Sequence, residues 1–98
     1  MMGNMDYLLN MAKQLQEQLK LMTVKVSAGQ NAVELIINGN QEVVQLSFKP
    51  EMLEHPAELA ALTADVFNEG MRESKRMMRE ELSKMTGGMN IPFVPGLL

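Results

Sequence analysis

The feature that most limits the fold is a helical pattern that begins at Pro56 and continues to about Met85. Apolar residues in its second half recur three and four positions apart, with Ser74 filling one step: Phe67, Met71, Met78, Leu82 and Met85. This spacing predicts a helix with one apolar stripe. Roughly 30 residues of helix span about 45 Å, whereas strands of about six residues make a sheet only about 20 Å long. The distal half of the helix must therefore project past any sheet that covers its first half.

Three segments before this helix alternate between apolar and polar residues and predict strands at 23–27, 32–38 and 42–49. Asn38-Gly39-Asn40 joins the last two strands, and Asn and Gly both tolerate the positive φ of a tight hairpin. Pro50 ends the third strand and opens a short helical turn. The following residues are predicted to face one apolar side: Val24, Val26, Val33, Leu35, Ile37, Val44, Leu46 and Phe48. Ile36 and Val43 are predicted to point to the other side.

A first helix is predicted before the strands. Its apolar residues follow a strict three-four alternation, which is typical of a coiled-coil-like contact: Met5, Leu8, Ala12, Leu15, Leu19 and Met22. Apolar stripes of this length are rarely left in water, so a homodimer with projecting helical arms is expected. The predicted arm and dimer contacts are Leu15, Leu19, Met22, Met71, Met78 and Leu82.

The expected fold class is therefore α+β: an N-terminal helix, a three-stranded antiparallel meander, a short helical turn and a long C-terminal helix. Residues 1–88 are interpreted as one domain and residues 89–98 as a flexible tail containing Gly and Pro. Thr86-Gly87-Gly88 follows the long helix, so its glycines are interpreted as a helix stop.

Charge is distributed unevenly along the chain, whose net charge is −3. Residues 23–71 carry two lysines against seven acidic residues, whereas residues 72–98 carry five basic residues against three acidic ones. At 100° per residue, the first four of those basic residues fall on one arc of the helix: Arg72, Lys75, Arg76 and Arg79. Lys84 follows them, and Lys13 and Lys20 share a face of the first helix.

Two interpretations of this basic stripe stay open. Arg76–Glu80 and Glu80–Lys84 have the spacing of stabilising ion pairs on a solvated helix. Arg72–Arg76 and Lys75–Arg79, however, are like-charge pairs at the same spacing, which destabilise a helix. The second interpretation is an anion-binding surface, where Arg and Lys would contact phosphates without reading sequence.

Several classes of function are not expected. The chain has no cysteine, which excludes disulfides and thiolate metal sites. Its one histidine, His55, precedes Pro56 and is interpreted as a helix cap. No basic leader followed by an apolar segment is present, and no apolar run is long enough for a membrane span. A cytoplasmic protein without catalysis, cofactor or membrane contact is expected.

The order of these segments resembles the YbaB/EbfC family of nucleoid-associated proteins over nearly the whole length. The resemblance is carried by MAKQLQEQL at 11–19, ELIING at 34–39, EVV at 42–44, KPEML at 49–53, VFNEG at 66–70, LSKMTGGM at 82–89 and the prolines at 92 and 95. The turn at 28–31 has fewer glycines than the family pattern, and Glu34 stands where a basic residue is common.

The resemblance implies a bacterial, nucleoid-associated homodimer shaped like tweezers, whose helical arms grip double-stranded DNA with low sequence specificity and affect gene expression. Together with the charge pattern of the two helices, this predicts the following DNA-binding residues: Arg72, Lys75, Arg76, Arg79, Lys84, Lys13 and Lys20. The alternative is a protein–protein adaptor that recruits DNA-maintenance proteins through the Met-rich arms and the C-terminal tail.

Overall fold

A computed structural model describes residues 3–85, and the predicted helix stop at 86–88 and tail at 89–98 lie outside them. The elements, in chain order, are α1 (Gly3–Leu21), β1 (Thr23–Ala28), β2 (Val33–Asn38), β3 (Val43–Phe48), a 3₁₀ helix (Pro50–Glu54) and α2 (Pro56–Met85). This order confirms the predicted α+β architecture. The chain is elongated, with principal extents of 62 × 21 × 19 Å.

The three strands form one antiparallel sheet in the order β1-β2-β3. β2 is central, and its Val33, Leu35 and Ile37 are fully buried. α2 packs across β1 and β2, and Val66 completes the core. Gly70 allows this close approach, because a Cβ at that position would lie 2.5 Å from Leu35 Cδ2.

The third strand departs from its predicted register. Gln45 lies opposite Ile36 but Val43 lies opposite Ile37, so Val44 is the extra residue of a β-bulge. Directly opposed residues share a face of the sheet. The prediction that Val43 points away from the core face is therefore wrong.

Leu46 and Phe48 lie on the core face as predicted, opposite Leu35 and Val33, but a single chain does not cover them. α2 covers β1 and β2, and β3 at the sheet edge keeps 58% of Val44, 41% of Leu46 and 42% of Phe48 exposed. β3 carries no charged residue, although charged side chains commonly protect edge strands from pairing with other chains.

The buried face of α2 is offset from the predicted Met stripe. It runs through Val66, Gly70, Ser74, Met77 and Glu81. Met71, by contrast, remains 37% exposed beside this face, and Met78 and Leu82 are half-buried. The shift has a physical reason: small Gly70 and Ser74 let the helix axis approach the sheet and the β2–β3 turn, where a larger side chain would not fit.

α1 is attached mainly near its C-terminal end. Leu19 is 1% exposed, whereas Met5, Tyr7, Leu8 and Leu9 are each between 57% and 64% exposed. Met22 follows the last residue of α1, so the predicted stripe ends one residue outside the helix. Within the described residues, the N-terminal half of α1 therefore presents an apolar surface to solvent.

Candidate nucleic-acid interface

The basic stripe of α2 lies on the side of the helix opposite the core. Its four members Arg72, Lys75, Arg76 and Arg79 are all exposed. The buried residues Ser74 and Met77 lie between them in sequence but point the other way. The helix thus holds four cations on one solvent-facing strip, as the spacing predicted.

Two of these cations are already engaged by acidic residues of the same helix. Arg72 pairs with Glu69 at 2.7 Å, and Arg76 pairs with Glu73 at 2.7 Å and with Glu80 at 2.6 Å. The hydrogen bond and charge of Glu73, followed by those of Glu80, raise the pKa of Arg76 above its ordinary value. The predicted Arg76–Glu80 pair is confirmed, and much of the charge of these arginines is balanced locally.

Lys75 and Arg79 differ from their neighbours. Neither side chain makes an ion pair or a hydrogen bond with any residue in the part of the chain that the structure describes. They stand four residues apart, so their Cβ atoms are about 5–6 Å from each other on the helix surface. These two side chains lack acidic partners because of where the acidic residues lie around the helix axis. Glu69, Glu73 and Glu80 lie on the flank nearest Arg72 and Arg76, and the flank nearest Lys75 carries Met71 and Leu82 instead.

Lys84 forms an ion pair with a different glutamate from the one predicted. Its ammonium lies 3.0 Å from Glu81 Oε1, and not on Glu80. Glu81 is only 6% exposed, and its other oxygen accepts a hydrogen bond from Gln18 Nε2 at 2.6 Å. Lys84 therefore helps to neutralise a buried carboxylate where the C-terminal ends of α1 and α2 meet.

The two lysines of α1 are exposed and have no acidic partner among residues 3–85. Lys20 borders a groove of about 640 Å³ between α1, the β2–β3 turn and Met78 of α2. Lys13 lies two turns earlier on the same face of α1. The unpaired cations are therefore found on both helices of the arm.

Some of the residues predicted to form arm and dimer contacts already contact other residues of the same chain. Leu19 packs against Gly39 and retains almost no exposed surface, and Leu15 and Met78 line the same groove. Met22 and Leu82 are half-buried, and Met71 is the most exposed of the six. Their contact with a second copy stays a prediction.

Sequence reasoning predicted the Arg76–Glu80 pair but missed Glu69 and Glu73 as partners of Arg72 and Arg76. Glu69 precedes Arg72 by three positions and Glu73 precedes Arg76 by three, and this spacing also brings side chains together on a helix. This spacing could have distinguished the paired arginines, Arg72 and Arg76, from Lys75 and Arg79. Ser74 was placed in the stripe without its hydrogen bonds to the β2–β3 turn, and the burial of Glu81 was missed because a polar residue interrupts an apolar pattern.

Other kinds of site find no support in the described part of the chain. Residues 3–85 hold no cluster of three His, Asp or Glu side chains that could ligate a metal ion. Within the same range, neither helix is apolar enough over a sufficient length to cross a membrane.

Comparison with known proteins identifies the family of this chain. Residues 1–89 match the model of the YbaB/EbfC DNA-binding family. A nucleoid-associated protein of Syntrophobacter fumaroxidans is 38% identical, over 85% of this chain and 79% of its own length. A nucleoid-associated protein of Alkaliphilus metalliredigens is 36% identical, over 93% of this chain and 90% of its own length.

A solved structure supports the fold independently. The crystal structure of the uncharacterized protein HP0035 from Helicobacter pylori superposes with a TM-score of 0.78 at 21% identity, covering 86% of this chain and 90% of that one. At this identity the likeness concerns the fold alone. The family assignment rests on the sequence match over residues 1–89. Because of this match, the chain belongs to the YbaB/EbfC DNA-binding family.

Proposed function

We propose that this chain acts as a homodimeric nucleoid-associated protein that binds double-stranded DNA through electrostatic contacts from its helical arms. The observation that carries the proposal is the pair of exposed cations Lys75 and Arg79, which have no acidic partner among the described residues. Such cations can approach phosphate oxygens without first breaking an ion pair. Lys13 and Lys20 add two further cations on α1.

The seven predicted DNA-binding residues fall into two groups. Lys75, Arg79, Lys13 and Lys20 are expected to supply most of the affinity, because each can release counterions from DNA. Arg72, Arg76 and Lys84 are expected to contribute less, because Glu69, Glu73, Glu80 and Glu81 already balance them.

Low sequence specificity follows from the kind of contact proposed. Lysine and arginine on phosphates position a protein on a duplex but carry no direct sequence information. An effect on gene expression would then arise from occupancy of the DNA. The corresponding location in the cell is the nucleoid, within the cytoplasm.

The proposed homodimer is supported by the exposed edge strand. β3 presents unpaired backbone groups together with half-exposed Val43, Leu46 and Phe48, and it carries no charge to prevent pairing. A second copy would cover these residues and bring two arms into one tweezer-like particle. The duplicated arms would double the number of phosphate contacts.

The direct test is titration of a fluorescent 30-base-pair duplex with the protein at salt concentrations from 50 to 400 mM. We expect the logarithm of the association constant to fall linearly with the logarithm of salt concentration, by about 0.9 for each phosphate contact. Duplexes of unrelated sequence should give the same line. Binding that does not respond to salt would contradict the proposal.

The exposed apolar half of α1 supports a second candidate, the adaptor that recruits DNA-maintenance proteins. Met5, Tyr7, Leu8 and Leu9 form a surface suited to an apolar partner. This candidate predicts weak duplex binding at 150 mM salt. It also predicts a protein ligand whose capture is lost in a Leu8→Lys variant and retained in a Lys75→Gln variant.

A further inference from the structure

α1 is held to the rest of the chain at two places, by the Gln18–Glu81 hydrogen bond to α2 and by the turn between β2 and β3, which makes several contacts with it. Its apolar attachment is small, since Leu19 is the one residue of α1 within the described range that is fully buried. The last turns of α1 leave backbone carbonyls without helical partners. Gly39 N–H donates to two of the carbonyls in this region, those of Leu19 at 2.9 Å and Met22 at 3.0 Å. The side-chain amide of Asn40 donates to the Gln16 carbonyl at 2.8 Å.

The same turn is fastened to α2 by one buried hydroxyl. Ser74 Oγ is fully buried and donates to the Asn38 carbonyl at 2.6 Å. It accepts hydrogen bonds from the backbone N–H and the side-chain amide of Gln41, each at 3.0 Å. Gln41 adopts a left-handed backbone with φ of 61°, and its amide also donates to the Gly39 carbonyl. Ser74 thus anchors both sides of the turn at once.

Hydrogen bonds within the turn hold its own conformation. A turn that keeps its shape can fix the position of one helix relative to the other. The Asn38 side-chain oxygen accepts hydrogen bonds from the N–H groups of Asn40 and Glu42, and its amide donates to the Glu42 carboxylate. A Cβ at Gly39 would lie 2.6 Å from Leu19 Cδ2 and 3.2 Å from the Leu19 carbonyl. The backbone of the turn therefore lies directly against the backbone of α1.

We propose that this turn, residues 38–42, is the joint that fixes α1 relative to α2, and that Ser74 is its positioning residue. Lys13 and Lys20 on one side of the joint and Lys75 and Arg79 on the other are then held as a single DNA-contacting surface. The second statement rests on the proposed function, whereas the first concerns the free protein.

Two glycine substitutions distinguish an effect on the joint from a general loss of stability. Gly39→Ala places its new methyl group against Leu19 at the joint, and Gly70→Ala places the same group 2.5 Å from Leu35 in the core between α2 and the sheet. The chain has no cysteine, so spin labels can be attached through Asn10→Cys on α1 and Asp65→Cys on α2 without other changes. Labelled protein is diluted with unlabelled protein, so that only distances within one chain are measured.

We expect a narrow distance distribution in the parent and in Gly70→Ala, and a broad or displaced one in Gly39→Ala. On duplex DNA, Gly39→Ala should lower the salt slope by up to about 1.8 for each bound chain, because two lysines of that chain no longer act with α2. The slope of Gly70→Ala should match that of the parent.

The outcomes separate the two statements. An unchanged distance in Gly39→Ala, or equal broadening in Gly70→Ala, overturns the joint. A broadened distance with an unchanged slope overturns the single-surface statement. A parent that does not bind DNA in a salt-dependent manner overturns the proposed function and leaves the distance result valid. If Gly39→Ala does not fold, Ser74→Ala, which removes the buried hydroxyl without adding bulk, decides the same question.

Discussion

Replacing Lys75 and Arg79 together with glutamine removes the two cations of α2 that have no acidic partner among the described residues. Glutamine retains a long polar side chain and a high helix propensity. A matched control, Lys25→Gln with Lys49→Gln, changes the net charge by the same amount but lies on the sheet end of the molecule. Lys25 is paired with Glu34 at 2.9 Å, so any difference between the two variants reports the position and pairing of the cations and not total charge.

The expected loss can be calculated from counterion release. Two phosphate contacts contribute about 1.8 to the slope of log K against log salt for each chain. If these contacts act only through counterion release, the affinity at 0.1 M salt falls about 60-fold for one arm and about 4,000-fold for a dimer that binds with both arms, and the difference disappears near 1 M salt. Fluorescence anisotropy on a short duplex at four or more salt concentrations measures both quantities.

Stability should change in the opposite direction from binding. Lys75 and Arg79 form a like-charge pair at i,i+4, which costs a helix about 0.2–0.5 kcal/mol. Removing it should leave the melting temperature unchanged or raise it by roughly 1–3 °C. An unchanged salt slope in this variant, or an equal loss in the sheet control, would refute the assignment of these two residues.

Three further outcomes are expected. Leu46→Lys on β3 should weaken dimerisation by about 100-fold or more in sedimentation equilibrium, because it buries a charge at the proposed interface, whereas Gln45→Lys should not. Replacing Glu69 and Arg72 together with glutamine should leave DNA affinity within about twofold, since exposed ion pairs contribute little and the net charge is unchanged. Val66→Ala should lower the free energy of unfolding by about 2 kcal/mol in denaturant titration while leaving the salt slope unchanged.

Local patterns predicted the elements of this fold well because their signals are local. The three strands were recognised from their alternation, and α2 from its 3.6-residue period between Pro56 and Met85. The hairpin at Asn38-Gly39 was also located correctly, but for a reason that proved incomplete. The left-handed residue is Gln41, and Gly39 is required by its approach to Leu19. That approach is a tertiary contact between residues 20 positions apart, which turn propensity does not contain.

The face of α2 could not be read correctly from hydrophobicity alone. Its buried line includes Gly70, Ser74 and Glu81, none of which is apolar enough for hydrophobicity to predict its burial. Gly70 is buried because the sheet approaches closely, Ser74 because the turn needs a hydrogen-bonding partner, and Glu81 because Gln18 and Lys84 satisfy it. In each case the partner comes from another element or another turn, so the choice of face depends on the assembled structure.

A net charge of −3 is compatible with DNA binding because the excess of acidic residues falls in residues 23–71, mostly at the sheet end of an elongated molecule. The acidic residues Glu51, Glu54 and Glu58 lie at or before the start of α2, and 17 residues of helix separate Glu58 from Lys75. That separation is about 25 Å, or roughly three Debye lengths at physiological salt. A duplex held along the distal arm is therefore screened from the sheet end, and the four acidic residues in the distal half of α2 are paired with Arg72, Arg76 and Lys84. Binding should follow the local charge of the arms, and adding acidic residues at the sheet end should change solubility more than DNA affinity.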